Sequence, residues 1–181
     1  DNVFFSKMNI FNMQFRDEVF DYVISNGVLH HTYNTEIAFK NILKPLKKNG
    51  YIIIGLYHKY GRLYTNLRQK IIQTFGESFK FLDKRTINKN ISEEKRYAWL
   101  KDQYKNPFET SHTLKEVKKW FIKYNIQYLS SIPFEKFDKD MNIFQAKNEE
   151  ISFLNLKEIS MMFSPSQIKE GGFFVVVGKK N

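Results

Sequence analysis

The chain has 181 residues, of which 42% are hydrophobic and 17% aromatic, with no cysteine and a formal net charge of +10. That length suits one domain with a packed core, and the lack of cysteine removes disulfides, zinc-thiolate sites and thiol nucleophiles. No apolar run approaches the roughly 18 residues of a membrane span and the first residues lack the order of a signal peptide, so a soluble, cytoplasmic protein without a membrane span is predicted. The charge comes overwhelmingly from lysine, and Asn, Ile, Phe and Tyr are abundant, the residue usage of an AT-rich genome. Its lysines are scattered, without the Arg-aromatic interleaving of a base-stacking surface, so charge keeps nucleic acid only as an alternative partner.

In chain order, residues 3–6 form a short apolar run read as a strand, followed by Asn9-Ile10 and a polar connection through Arg16-Asp17-Glu18. Residues 20–25 read as the next strand, apolar on both faces, which suits a central parallel position. A helix follows, capped by Asn34 or Thr35, with Ile37, Ala38, Ile42 and Leu43 on one stripe and Pro45 stopping it. Asn49-Gly50 turns into a β-branched strand over 51–57. The stretch 61–112 then changes character: Leu63, Leu67, Ile71, Ile72 and Phe75 share a helical face, and a second helix starts after Ser92, so we read a helical lid inserted at about 61–112. Thr113 and Glu116 form a capping box for a helix that carries Leu114, Val117, Trp120, Phe121 and Tyr124. Residues 126–132 are a strand closed by Pro133. Phe153, Leu156, Ile159 and Met162 have helical spacing, and Gly171-Gly172 leads into a last strand. Strands alternate with helices through short loops, the grammar of an open parallel α/β sheet.

The stretch "FDYVISNGVLHHTYNTEIAFKNILKPLKKNGYIIIGLY" resembles the class I S-adenosylmethionine-dependent methyltransferases, of the type 11-like group: fourth strand, a loop with leucine-histidine-histidine, helix, Lys-Pro before a glycine turn, and fifth strand. "GGFFVVVGKK" is similar to the family's last strand, which runs antiparallel. The resemblance implies an α/β, Rossmann-like, mostly parallel sheet with an antiparallel C-terminal strand, and one partial methyltransferase-like domain over residues 1–181. It implies S-adenosyl-L-methionine as cofactor and a small-molecule acceptor. The family's glycine-rich loop and its acidic ribose partner have no counterpart in these residues, so an N-terminally truncated, C-terminal portion of a longer enzyme is expected, with loss of cofactor binding by this portion alone as one expectation. The family's sheet order would then leave bare edges, to be filled by residues 3–6 moving beside 20–25 or by a homodimer formed through the edges. Two alternatives remain: an RNA-modifying methyltransferase, and a non-catalytic binding fragment.

The resemblance places Asn9 and Ile10 at the adenine, where Asn stands in for the family's Asp, and Asn26, Gly27, Val28 and Leu29 beside the methionine end of the cofactor. His30 and His31 then face the sulfonium, and imidazole titrates near neutral pH, so both are candidate catalytic bases. Open α/β sheets bind ligands at the carboxyl ends of their strands. Tyr57, His58, Tyr60, Arg62, Tyr104, Glu109 and His112 flank such ends and are the candidate substrate pocket, with Arg62 able to clamp an anion bidentately and Glu109 and His112 as a pair. The histidine spacings match no metal motif, and no metal site is expected.

Overall fold

The computed structural model describes residues 2–76, 82, 92–104, 108–134, 142–145, 154–163 and 172–181; within the helix over 93–104 the side chains of residues 99, 100 and 102–104 lie outside that description. The elements are β1 (Phe20–Asn26), a 3-10 turn (Leu29–His31), α1 (Thr35–Ile42), β2 (Leu46–Tyr57), α2 (Leu63–Phe75), α3 (Glu93–Tyr104), α4 (Leu114–Lys123), β3 (Ile126–Ile132), α5 (Leu154–Ser160) and β4 (Phe173–Lys180). The sheet order is β1-β2-β4-β3. β1 and β2 are parallel, and β4 is antiparallel to both β2 and β3. Three strands therefore share one direction and the last runs against them, the α/β arrangement expected.

One face of the sheet is dry. Ile52, Ile54 and Leu56 of β2 and Phe174 and Val176 of β4 point to it, and α1 and α4 cover it with Ala38, Phe39, Ile42, Leu114, Val117, Trp120 and Phe121. Phe39 joins the two helices, stacked on Phe121 at 5.6 Å between centroids. Gly178 makes room for that layer, since a Cβ there would stand 2.5 Å from Phe121 Cε2. The opposite face carries Tyr22 and Tyr51, stacked at 5.5 Å and capped by Phe144. α1 is capped by Asn34, whose side chain accepts from the Ile37 amide at 3.0 Å, while Ile37 itself turns outward. The capping box of α4 forms as expected: Thr113 accepts from the Glu116 amide at 3.1 Å, and the Glu116 carboxylate returns to the Thr113 backbone.

Several expectations are corrected. Residues 3–6 form no strand, and Phe4 and Phe5 are almost fully exposed. They pair with no strand among the described residues, so they do not fill the sheet. β1 is therefore the edge of the described sheet rather than a central strand, and Tyr22 and Ile24 are more than half exposed. In α2 the apolar positions Leu63, Leu67 and Phe75 face outward while Thr65 and Ile72 are buried. α5 has the anticipated helical form, yet Leu156 and Ile159 are exposed and Glu158 is buried. The reason is polar: the Glu158 carboxylate accepts from the Lys115 amide at 3.2 Å and lies 3.5 Å from His58 Nε2. Phe153 lies outside the described residues.

Candidate active site

β1, β2 and β3 end and β4 begins at the same end of the sheet, and there the candidate residues converge. β1 leaves through Gly27, whose φ of +75° favours glycine, and its amide donates to the Gly55 carbonyl at 3.1 Å. A Cβ on Gly27 would meet only Phe173, at 3.9 Å, so this turn is open to close approach. On the neighbouring strand the reverse holds: a Cβ on Gly55 would collide with the Asn26 side chain and the Phe173 ring. Gly55 is thus the reason Asn26 can fold across β2. The 3-10 turn that follows is tied by the Thr32 hydroxyl, which donates to the Leu29 carbonyl at 2.6 Å.

That turn buries Leu29 and His30 completely and leaves His31 at the surface layer. The His30 ring lies 4.1 Å from Tyr57, 4.3 Å from His31 and 6.3 Å from Phe173. Neither of its nitrogens has a hydrogen-bond partner among the described residues. Burial, with the nearby His31, Arg62 and His112, lowers its pKa from the ordinary 6.5 to about 3, because a charged ring there would be desolvated among other cations. The folded protein therefore binds fewer protons at His30 than the unfolded chain does between pH 6.5 and about 3. Stability is expected to be intact above that window and to decline as pH falls through it. Urea unfolding at stepped pH should show the decline, and His30→Leu should flatten it; an unchanged pH slope in the variant would refute the assignment.

Arg62 is fully buried at the entrance to α2. Its guanidinium lies 3.8 Å over the Tyr57 ring and donates bidentately to Glu109, Nε to Oε1 at 2.9 Å and NH2 to Oε2 at 2.6 Å. The fork anticipated for a ligand is occupied by a carboxylate of the chain itself. Residues 108–112 reach this position by lying between the two strand ends. The His112 amide donates to the Tyr57 carbonyl at 2.9 Å, the Lys59 amide to the His112 carbonyl at 3.0 Å, and the Thr110 amide to the His30 carbonyl at 2.9 Å. Glu109 and His112 therefore do not pair with one another. His112 turns instead to Glu116 of α4, its Nδ1 standing 3.2 Å from the carboxylate, and this contact holds the Glu116 pKa below the usual carboxylate range. That contribution is present at neutral pH and is lost as pH falls through the lowered titration.

The remaining candidates spread further. His58 is buried with Phe134, Phe174 and Glu158 around it, beneath the strand ends rather than facing a ligand. Tyr60 sits half-buried in the next turn, 5.7 Å from the His58 ring. Tyr104 ends α3, and its side chain lies outside the described residues. Asn9 closes an Asx turn, accepting from the Phe11 amide at 2.9 Å; Phe11 in turn stacks on Tyr33 at 4.1 Å, which brings the Asn9-Ile10 segment beside the loop after β1. Sequence reasoning missed Phe173, Thr35, Thr110 and Glu158. Phe173 belongs to a strand read only for its apolarity, and the others are polar residues whose partners lie 43–80 positions away in the chain.

Residues 1–112 match a family described as a methyltransferase domain. A stretch of 61 residues is 38% identical to phosphoethanolamine N-methyltransferase 2 of Caenorhabditis elegans, covering 33% of this chain and 14% of that protein. Among solved structures, PKMT2 of Rickettsia typhi in complex with AdoHcy superposes with a TM-score of 0.62 at 15% identity, over 94% of this chain and 37% of that one. An S-adenosylmethionine-dependent methyltransferase of Mesorhizobium loti superposes with a TM-score of 0.50 at 10% identity, over 97% and 68%. The chain thus spans a minor part of the nematode and Rickettsia proteins. Among the described residues no helix is long and apolar enough to cross a membrane.

Proposed function

Because the chain belongs to the methyltransferase domain family, we propose that it supplies the strand-end loops of an S-adenosylmethionine-dependent methyltransferase acting on a small-molecule acceptor. One observation carries the reading: an open glycine turn at Gly27 runs straight into His30, a buried imidazole whose two nitrogens have no partner among the described residues. A buried polar group of that kind calls for an outside partner.

S-adenosylmethionine, when bound, supplies a methyl group activated on a sulfonium. The chain's own part is to place it and exclude water, which is most of what an in-line displacement requires. Asn26, Gly27, Val28 and Leu29 form the floor, Asn26 and Val28 being exposed, and Asn9 and Ile10 border the adenine side. His30 keeps its neutral form near neutral pH and so orients through a hydrogen bond; a base with its pKa far below the working pH removes protons poorly. The site accordingly favours an acceptor that arrives with a free lone pair, an amine in its unprotonated form among them. The nematode relative, named for phosphoethanolamine N-methylation, supports that class. Arg62 and Glu109 neutralise each other and hold Tyr57 in the wall, and His31 and Tyr60 remain at the acceptor side.

Calorimetric titration with S-adenosylhomocysteine tests the reading. Saturable heat is expected, with about 2.7 kcal/mol of added stability at a hundredfold excess over Kd. The absence of both heat and any rise in Tm would overturn it.

A further inference from the structure

Phe173 opens β4, and its ring reaches across the neighbouring strand to the loop after β1. The ring tip lies over Gly55 of β2, where a Cβ would stand 2.4 Å from Phe173 Cζ and 2.8 Å from Cε1. Its Cε2 comes to 3.9 Å from the Cβ position of Gly27, the open turn at the end of β1. One side chain of β4 thus borders the turn two strands away in the order β1-β2-β4-β3. Tyr57 and His30 stand beside this ring at nearly right angles, 6.0 Å at 82° and 6.3 Å at 76° between centroids. Both of those rings are buried, and Arg62 covers a face of Tyr57 at 3.8 Å. Phe173 is only half-buried, and among the described residues no ring lies flat on it.

The carboxylates that border these strand ends are already spent. Glu109 accepts both arms of Arg62, and Glu158 lies with His58 and the Lys115 amide. A ligand cation that comes to the Gly27 turn therefore meets an aromatic surface, and a ring face attracts such a cation through its quadrupole. A sulfonium is a cation of this kind, because it has no proton to lose. We propose, on the methyltransferase reading above, that Phe173 is the wall against which the S-methyl group of S-adenosylmethionine lies, and that its ring makes the site prefer this charged cofactor to uncharged S-adenosylhomocysteine. In the transfer, a lone pair of the acceptor forms the new bond to the methyl carbon and the C–S bonding pair stays on sulfur. The positive charge passes to the acceptor, and the thioether left behind has no such attraction to the ring. Gly55 is the positioning residue of this arrangement, since any side chain there would displace the ring tip.

Two measurements on the full chain test this. The first uses S-adenosylmethionine with a 13C-labelled S-methyl group bound to the unmodified protein. Its methyl protons should show nuclear Overhauser contacts to the Phe173 ring and an upfield ring-current shift relative to the free cofactor. Bound cofactor without those contacts would overturn the placement. The second compares calorimetric Kd values of S-adenosylmethionine and S-adenosylhomocysteine for the unmodified chain and for Phe173→Leu, which keeps an apolar side chain and removes the ring. The preference for the charged ligand should fall by about three- to thirtyfold in the variant, the worth of a ring face toward a cation taken out of water. Equal weakening of both ligands would show a wall of shape alone and overturn the charge preference. The ratio cancels a general loosening of the fold, and the Overhauser contact needs no variant, so it decides the matter if the leucine chain does not fold. Binding of neither ligand by the unmodified chain overturns the methyltransferase reading and this assignment with it. Binding of both, with no contact and an unchanged ratio, removes the assignment alone.

Discussion

Gly172→Ala should destabilise the protein by about 4 kcal/mol and lower Tm by roughly 10 °C, a loss at the upper end for one substitution. Two causes add. Gly172 has φ +74°, where a residue with a Cβ is strained by about 1–2 kcal/mol. Its Cβ would also enter the backbone of Gly61 and stand 2.6 Å from the Arg62 amide nitrogen. Relief by a side-chain rotation is closed off, because the obstacle is main chain. The two glycines mark a crossing of backbones: the His58 amide donates to the Gly172 carbonyl at 2.6 Å, and the turn that carries Arg62 is laid directly on the start of β4. Urea unfolding measures the loss, and a change below about 1 kcal/mol, close to the range of a surface substitution, would mean that the two backbones do not cross this closely.

Glu109→Ala should cost about 3–5 kcal/mol, because it leaves the buried Arg62 without the carboxylate that accepts both arms of its guanidinium. The double replacement Arg62→Leu with Glu109→Leu should recover most of that loss, since a buried guanidinium deprived of its carboxylate costs more than the missing pair contributes. Denaturant midpoints of the two variants decide it. A double variant no more stable than Glu109→Ala would show that the pair itself, rather than the cost of the remaining charge, dominates. The same comparison bears on the site: Arg62 lies over Tyr57 and Tyr57 against His30, so loosening the pair should disturb the floor of the proposed cofactor site through one aromatic ring.

Local physics made much of this legible in the chain. Asn34, Thr113 and Glu116 announce helix starts because a side-chain oxygen one turn from an open amide has few other uses. The β-branched run at 51–57 and the final "FFVVV" announce buried strands because such side chains pack well on a pleated surface. The helices α2 and α3 were legible too, but not the direction in which α2 faces. The stripe Leu63, Leu67 and Phe75 has core-like spacing and looks outward, and α5 turns Glu158 inward because His58 and the Lys115 amide await it there. Periodicity records which residues share a side of a helix and carries no information about what stands opposite.

The sequence by itself determined the succession of strands and helices from residue 20 onward, the caps, the antiparallel close of the sheet by its last strand and the family to which the loop after β1 belongs. All of these depend on residues within a few positions of one another. Only the tertiary structure decided the partners of the polar side chains: Arg62 with Glu109 across 47 positions, Thr110 with Thr35 across 75, Glu158 with Lys115 across 43. The physical reason is that a carboxylate or hydroxyl is equally content with several partners until burial removes water, and burial is settled by how strands far apart in sequence come to lie side by side. The His-His pair shows the division at its smallest scale. Two adjacent imidazoles, equivalent as text, become one buried neutral ring and one near the surface because a single turn of 3-10 helix points one inward.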